Sequence, residues 1–494
     1  MGQFVPLLDL VIKEGSVVFP GRMIQKADVG VKNGKIVRLA TSLDKEPADR
    51  IISARGRVVF PGLIDSHFHV GIYRPLNNDA YSESSSAVAG GVTTLLSYFR
   101  SGRNYLNTSA PYNSLFSQVL DLSSGNFFCD YGYHLAPITR THVEEIPELI
   151  SKFGVSSFKY YMFYKGLTLK GESKKGSVEK EYLLSDDPYD LGHLYVLMQT
   201  IAKASKKRKG LRLGIHAEDA ELIRLHAEQV KREYPENGMT PLEAYCAARP
   251  PIAERMAILE AANLAYQTEC PLTILHISSK LSLSTIREFR ITHPSMDLMA
   301  ETTVHHLALT THSSGVEGKV NPPIRTASDK AALWQGVSRG EISTIVSDHA
   351  AITRRQKGRK IWSAEAGFGG TELILPVIVT EGHRKRGVPL EQLAALVSLN
   401  PARYYGLLPR KGDIAIGYDA DLTIVNVSED RIVDHSKLHS AQDFSPFDGL
   451  RLYGWAETTI VRGNVVYEDG QVVGEPTGEY IRRPVSAGSR NEYR

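Results

Sequence analysis

The sequence predicts an α/β fold, a (β/α)8 barrel joined to a small β-sandwich domain that is built from both chain ends. Between about residues 61 and 404, apolar strand-like runs alternate with longer helix-like stretches, which is the pattern of a (β/α)8 barrel with insertions. The two chain ends share a different pattern of short β-prone runs and tight turns. A doubly wound sheet is the alternative, but no Gly-x-Gly-x-x-Gly motif follows an early strand.

The strand-like runs of the central region are GVTTLLSY, SSFKYYMFY, LRLGIHA, LTILHIS and ISTIVSDHA. In the terminal regions, an Asn-Gly pair at 33–34 and an Asp-Gly pair at 469–470 predict hairpin turns. Residues 166–190 are polar and lack periodicity, which predicts a surface excursion over the barrel. The predicted domains are the sandwich from residues 1–60 and 405–474, the barrel from 61–404, and a C-terminal arm at 475–494.

Composition excludes several classes of protein. The 494 residues include 58 Lys and Arg against 55 Asp and Glu, and a net charge of +3 is too small for a nucleic-acid binder. The three cysteines, Cys129, Cys246 and Cys270, are too few for a disulfide framework and favour a reducing compartment. Charged residues interrupt every apolar run in the first twenty residues. We therefore expect a cytoplasmic protein with neither a nucleic-acid nor a membrane partner.

The strongest local signal is the segment PGLIDSHFH at residues 61–69, an apolar strand that ends in His-x-His. Side chains two residues apart point to the same face of a strand, so His67 and His69 can present two imidazoles to one metal ion. Asp65 lies on the same face and is expected to accept a hydrogen bond from His67 or to make a structural one. Two imidazoles do not complete a metal site, so further ligands are required.

Three later runs supply candidates for those ligands. His216 ends LRLGIH, His276 ends LTILH, and Asp348 follows ISTIVS. Each of them taken alone is more simply a polar residue at a strand end. In a barrel, however, the carboxyl ends of all strands meet on one face. Four imidazoles and a carboxylate at those ends predict two adjacent cation sites.

Two cations at close range require an anion between them, and Lys159 is the candidate. It lies within the apolar run at 156–165, where burial disfavours the ammonium form. A neutral lysine amine can add carbon dioxide, and the resulting carbamate has two oxygens that can bridge two metal ions. The alternative is that the Lys159 side chain extends out of the sheet to solvent.

Ten segments carry a resemblance to a known family, in this order: PGLIDSHFH, AGGVTT, DYGYHLA, SFKYYMFYK, HAED, RPPIAE, LHIS, NPPIR, SDHA and NPARYYGLLPRKGDIAIGYDADLTI. They resemble the cyclic amidohydrolases, most closely dihydropyrimidinase and hydantoinase, from about residue 8 to 475. The resemblance implies a TIM barrel with a β-sandwich, two zinc ions per chain, and a homotetramer or homodimer. The implied metal ligands are His67, His69, Lys159, His216, His276 and Asp348.

The resemblance also assigns roles to these residues. The first histidine pair and Asp348 would hold one zinc ion and the second pair the other, with carboxylated Lys159 as the bridge. Tyr164 matches a tyrosine that donates a hydrogen bond to the substrate carbonyl. Asn321 and Gly367 fall at backbone contacts with the substrate. Asn321 replaces a common serine, and Ala366, beside Gly367, replaces an asparagine.

The expected reaction is the opening of a dihydropyrimidine- or hydantoin-type ring by a hydroxide shared between two metal ions. Asp348 would take the proton of that hydroxide and deliver it to the departing ring nitrogen. Allantoinase and dihydroorotase are alternatives, although Gly71 stands where dihydroorotases place an arginine. A non-catalytic scaffold related to dihydropyrimidinase is an alternative of another class, but all six ligand positions are filled.

Overall fold

A computed structural model describes residues 7–102, 104–165, 188–208, 210–234 and 238–483. Most of the predicted surface excursion, residues 166–187, lies outside the described residues, as does the end of the predicted arm, 484–494. The described strands form two separate sheets. One is an eight-stranded parallel barrel and the other a nine-stranded sheet from both chain ends, so the predicted fold class is confirmed.

The nine-stranded sheet combines strands from the two chain ends. Its order is β17-β16-β15-β14-β5-β1-β2-β3, with β4 beside β1. The predicted Asn-Gly turn joins β2 to β3 and the predicted Asp-Gly turn joins β16 to β17, both with positive φ at the two central residues. The strands are β1 (Leu8–Phe19), β2 (Met23–Lys32), β3 (Lys35–Ala40), β4 (Ala48–Ser53), β5 (Val58–Pro61), β14 (Leu422–Ile432), β15 (Arg451–Val461), β16 (Asn464–Glu468) and β17 (Gln471–Val472).

The barrel strands follow chain order around the sheet, from β6 to β13. The barrel closes where Phe68 pairs in parallel with His349 and the amide of His69 donates to the carbonyl of His349 at 2.9 Å. The strands are β6 (Leu63–Phe68), β7 (Val92–Phe99), β8 (Asp130–Leu135), β9 (Ser157–Tyr161), β10 (Arg212–His216), β11 (Leu272–Ile274), β12 (Leu298–Thr303) and β13 (Thr344–Val346).

Helices cover the outside of the barrel, and this explains the apolar strand sequences. All eight residues of β7 are buried, as expected for a parallel strand with both faces covered. Capping boxes begin α7 and α11, at Thr240 with Glu243 and at Thr326 with Asp329. None of the helices in the described part of the chain combines the length and apolarity that a membrane crossing needs.

The α-helices are α1 (Leu76–Ala89), α2 (Tyr112–Ser123), α3 (Arg140–Glu144), α4 (Ile146–Glu148), α5 (Leu191–Ser205), α6 (Ala220–Glu233), α7 (Pro241–Ala248), α8 (Pro251–Thr268), α9 (Lys280–Thr292), α10 (Val304–Ala308), α11 (Ala327–Ser338), α12 (Arg354–Lys357), α13 (Ile374–Val377), α14 (Leu390–Ala394) and α15 (Asn400–Tyr404). Short π-helices span Leu149–Phe153, Ile378–Arg384 and Ala395–Leu399.

A buried ionic cluster joins β8 of the barrel to the start of β14. The ammonium of Lys411 is fully buried and lies 2.5 Å from Asp130, 2.9 Å from Asp419 and 2.7 Å from Asp421. These carboxylates outweigh the effect of burial, so the pKa of Lys411 stays above its ordinary value. The cluster lies at the amino end of the barrel strands, away from the predicted ligands.

Replacing Lys411 by Met is expected to lower the free energy of unfolding by about 3–5 kcal/mol, because three buried carboxylates lose the buried ammonium between them. Asp419 keeps its contacts with Lys35 and Arg410, and Asp130 keeps its contact with Arg462. Urea unfolding followed by circular dichroism measures this change. Lys437→Met is the control, since that side chain is 80% exposed and lies 3.8 Å from Asp434. Equal stability of the two variants would contradict a structural role for the cluster.

Candidate metal and substrate site

A cavity of about 280 Å³ opens at the carboxyl ends of the barrel strands. Most of the residues singled out in the sequence line it, and His67 is fully buried within the same group. The predicted site residues that line the cavity are His69, Lys159, Tyr164, His216, His276, Asn321, Asp348 and Gly367. The barrel topology therefore brings together side chains up to 281 positions apart, counted from His67 to Asp348.

The first candidate metal position lies between His67, His69 and Asp348. Their ligand atoms all lie within 4.8 Å of one another. Oδ1 of Asp348 is 3.0 Å from Nε2 of His67 and 3.4 Å from Nε2 of His69. Asp348 directly follows Ser347 and β13, and its φ of +52° turns the chain sharply at this point. Such strained backbone at a non-glycine residue is frequent at functional sites.

The second pair of histidines lies next to the first. The ring centroid of His276 is 4.4 Å from that of His216 and 5.3 Å from that of His67. Both ring nitrogens of His276 are buried and have no hydrogen-bond partner among the described residues. A buried imidazole without partners fits a residue that binds a metal ion, because the ion would satisfy its lone pair.

Lys159 lies beneath the histidines on β9. Its Nζ is 3.1 Å from Nε2 of His67 and 3.9 Å from the ring centroid of Tyr98, and the residue is 2% exposed. The alternative of a side chain that extends to solvent is therefore wrong. Burial lowers the pKa of Lys159 to about 8, although Asp348 and Glu301 act in the opposite direction. An amine with this pKa is more readily neutral than an exposed lysine.

Burial and local charge set the protonation states of the cluster. Burial lowers the pKa of His69 and of His216 to about 4. Burial also opposes ionisation of Asp348, but the neighbouring His67 and His69 outweigh it and hold the pKa of this carboxyl well below its usual range. Two neutral imidazoles and an ionised carboxylate are the forms in which these side chains bind metal ions.

Two glutamates orient the histidines and were missed in the sequence. Oε1 of Glu301, at the β12 end, lies 2.7 Å from Nδ1 of His67. Oε2 of Glu218 lies 2.6 Å from Nε2 of His216, and Arg249 donates to Glu218 at 2.9 Å. Carboxylates in this position fix the orientation of ligand histidines. Glu218 belongs to the segment HAED, and Glu301 begins the segment ETTVHH at residues 301–306. Spacing alone does not show which histidine ring each glutamate contacts.

Asp65 makes structural hydrogen bonds, one of the two expectations for it, and its Oδ1 also accepts from the backbone amide of His67 at 3.5 Å. It accepts hydrogen bonds from the amide of Ser347 at 3.1 Å and from the hydroxyl of Thr371 at 2.9 Å. It therefore ties β6 to the residue that precedes Asp348, which is the structural alternative. The His67 ring is held by Glu301 instead.

Comparison with known proteins identifies the family. The model of the amidohydrolase family matches residues 185–466, and relatives at 30% identity cover nearly the whole chain. The chain belongs to the amidohydrolase family. It is 30% identical over 492 residues to a D-hydantoinase of Ralstonia pickettii, with 96% of this chain and 99% of that protein covered. It is 31% identical over 487 residues to an allantoinase of Rubrobacter xylanophilus, with 98% and 99% covered.

Solved structures of other amidohydrolases share the whole architecture. A D-hydantoinase crystal structure matches with a TM-score of 0.83 at 26% identity, covering 97% of this chain and 99% of that one. The L-hydantoinase (dihydropyrimidinase) of Arthrobacter aurescens also matches with a TM-score of 0.83, at 28% identity and 96% and 99% coverage. The likeness therefore extends over nearly the whole chain.

The predicted substrate-binding residues line the same cavity of this amidohydrolase. Tyr164 is buried, which raises the pKa of its hydroxyl, and it shares a hydrogen bond with Arg100. Oδ1 of Asn321 accepts from the hydroxyl of Tyr245 at 2.5 Å. The carbonyl of Gly367 accepts a hydrogen bond from Nζ of the buried Lys357 at 2.6 Å. Their contacts with a substrate stay predictions.

Proposed function

We propose that this amidohydrolase is a metal-dependent hydrolase that opens the rings of cyclic amides of the hydantoin or dihydropyrimidine type. One observation carries the proposal. Four histidines, a buried lysine and an aspartate converge at one cavity at the carboxyl ends of the barrel strands. Hydantoinases and an allantoinase are among the relatives that match over nearly the whole chain.

The proposed metal centre would hold two divalent ions, which we expect to be zinc. His67, His69 and Asp348 would hold the first ion, and His216 and His276 the second. Lys159, as its N6-carboxylate, would supply the anionic ligand that both ions share, and its Nζ lies 3.1 Å from Nε2 of His67. When bound, such ions supply Lewis acidity and make water a stronger nucleophile at neutral pH.

The protein groups then provide proton transfer and orientation. Asp348 is ionised at neutral pH because its pKa is held low, so it can accept the proton of the attacking water. It would deliver that proton to the ring nitrogen as the amide bond breaks. Tyr164 keeps its proton because burial raises its pKa, and its hydroxyl would donate to the carbonyl oxygen that gains negative charge. The product is an open-chain acid such as an N-carbamoyl amino acid.

We expect the protein to be cytoplasmic, since its three cysteines are free in the structure. We also expect a homotetramer or homodimer, an expectation that comes from the family resemblance alone.

A hydrolysis panel tests the proposed function. Hydantoin, 5-substituted hydantoins, dihydrouracil, dihydroorotate and allantoin are offered to zinc-loaded protein, and ring opening is followed by loss of ultraviolet absorbance and by mass spectrometry. We expect turnover of hydantoins or dihydrouracil. Preference for allantoin would support the allantoinase alternative, and zinc-loaded protein without any ring opening would support the scaffold alternative. His276→Ala serves as the control for metal-independent hydrolysis.

Metal loading is expected to depend on bicarbonate, because only carboxylated Lys159 can act as an anion between the ions. Metal-free protein should recover two zinc equivalents and activity in bicarbonate, and much less of both in buffer free of carbon dioxide. Elemental analysis measures the zinc content, and the hydrolysis assay measures the activity. Lys159→Arg should not recover in either buffer, since a guanidinium stays protonated. Lys330→Arg, at a half-buried lysine outside the cavity, is the control. Equal recovery in both buffers would argue against the carbamate.

Asp348→Asn is expected to keep most of its metal and to lower kcat by about 10²–10⁴-fold, because an amide cannot carry the proton. Steady-state kinetics and elemental analysis of the same preparation measure the two effects. Asp297→Asn is the control, since that residue pairs with Arg212 at the opposite end of β10. An unchanged kcat would remove Asp348 from the proposed mechanism.

A further inference from the structure

The hydroxyl of Tyr105 lies 3.0 Å from Nδ1 of His69, one of the proposed metal ligands. We propose that Tyr105 is a positioning residue, which fixes the ring of His69 and thereby helps to retain the metal ion held by His67, His69 and Asp348. The inference rests on the proposed metal centre. It concerns a residue outside the segments that carry the family resemblance.

The two nitrogens of His69 face different groups. Nδ1 faces the hydroxyl of Tyr105, while Nε2 is 3.4 Å from Oδ1 of Asp348. When the tyrosine oxygen accepts a hydrogen bond from Nδ1–H, Nε2 is left with a lone pair directed toward the cluster. That tautomer is the one that can bind a metal ion at Nε2.

Tyr105 is held in place by packing and by its loop. The residue is 6% exposed, and its ring meets that of Phe99 edge to face at a centroid distance of 5.5 Å. The amide of Gly102 donates to the carbonyl of Thr108 at 2.8 Å and closes the turn on which the tyrosine lies. The hydroxyl therefore meets His69 from a fixed direction.

The backbone of this turn is strained at the tyrosine itself. Tyr105 has a φ of +57°, and its neighbours Asn104 and Asn107 have φ values of +68° and +52°. Asparagine tolerates this left-handed region, whereas a bulky aromatic residue rarely adopts it. The amide of Asn104 donates to Oδ1 of Asn107 at 3.0 Å, which stabilises the turn. A strained residue whose side chain reaches a ligand is consistent with a functional role.

The two histidines proposed to hold this ion have different hydrogen-bond partners. His67 is bonded to the carboxylate of Glu301 at 2.7 Å, while His69 is bonded to a phenol. A phenol is neutral near pH 7, whereas the carboxylate is an anion. A neutral partner orients a ring but increases its basicity less than a carboxylate does. Loss of the phenol should therefore weaken one metal position without removing the other.

The experiment compares wild type with Tyr105→Phe, both loaded with cobalt and titrated with a chelator. We expect one of the two cobalt equivalents to bind about 10–100-fold more weakly in the variant, with a changed visible absorption spectrum, and the other equivalent to be unaffected. Glu301→Gln should weaken the same equivalent at least as much. Tyr133→Phe is the matched control. Tyr133 lies on β8, and its buried hydroxyl is hydrogen-bonded to Ser123 of α2 at 2.6 Å, outside the cavity.

The outcomes separate this inference from the proposed function. Wild type that binds no divalent metal would overturn the proposed metal centre. Two tight equivalents in wild type with an unchanged chelator titration and spectrum in Tyr105→Phe would overturn only the positioning role. A lower unfolding temperature of metal-free Tyr105→Phe, with the chelator titration unchanged, would identify the hydroxyl as structural and would also overturn the inference.

Discussion

The burial of a lysine amine among histidines at one end of the barrel is the constraint on which the rest of the site depends. Lys159 is 2% exposed and its Nζ is 3.1 Å from an imidazole nitrogen, where a permanent ammonium is unfavourable. Its ionised neighbour Asp348 offsets part of that cost. The arrangement is electrostatically consistent once the lysine becomes an anion and cations lie beside it, which is why the metal centre and the carbamate are proposed together.

The barrel supplies the rigidity that this arrangement requires. His276 and Asp348 both have positive φ two residues beyond the ends of short strands. Non-glycine residues keep this conformation when their surroundings enforce it. Hydrogen bonds from Ser347 and Thr371 to Asp65 fix the turn at Asp348. Closure of the barrel beside His69 joins the first strand to the last at the same point. The strained turns are therefore part of a closed, buried framework.

Each of three candidate ligands receives an orienting partner from a different element. Glu301 comes from β12, Glu218 from the loop after β10, and Tyr105 from a turn after β7. Each contact occupies one ring nitrogen of its histidine and leaves the other ring nitrogen for a different interaction. The partners determine how well the site is preorganised, since ligand histidines that rotate freely bind metal less tightly.

The sequence by itself determined the fold class, the two hairpin turns, and a set of ligand candidates, because hydrophobic periodicity and strand-ending polar residues are local features. Hairpin closure needs only the positive φ that Asn-Gly and Asp-Gly accept. Only the tertiary structure decided which side chains meet. The Glu301–His67 and Tyr105–His69 contacts join residues 234 and 36 positions apart, and nothing in their local spacing distinguishes them from solvated or packing residues. Such pairings depend on strand order and barrel closure, which are global properties of the folded chain.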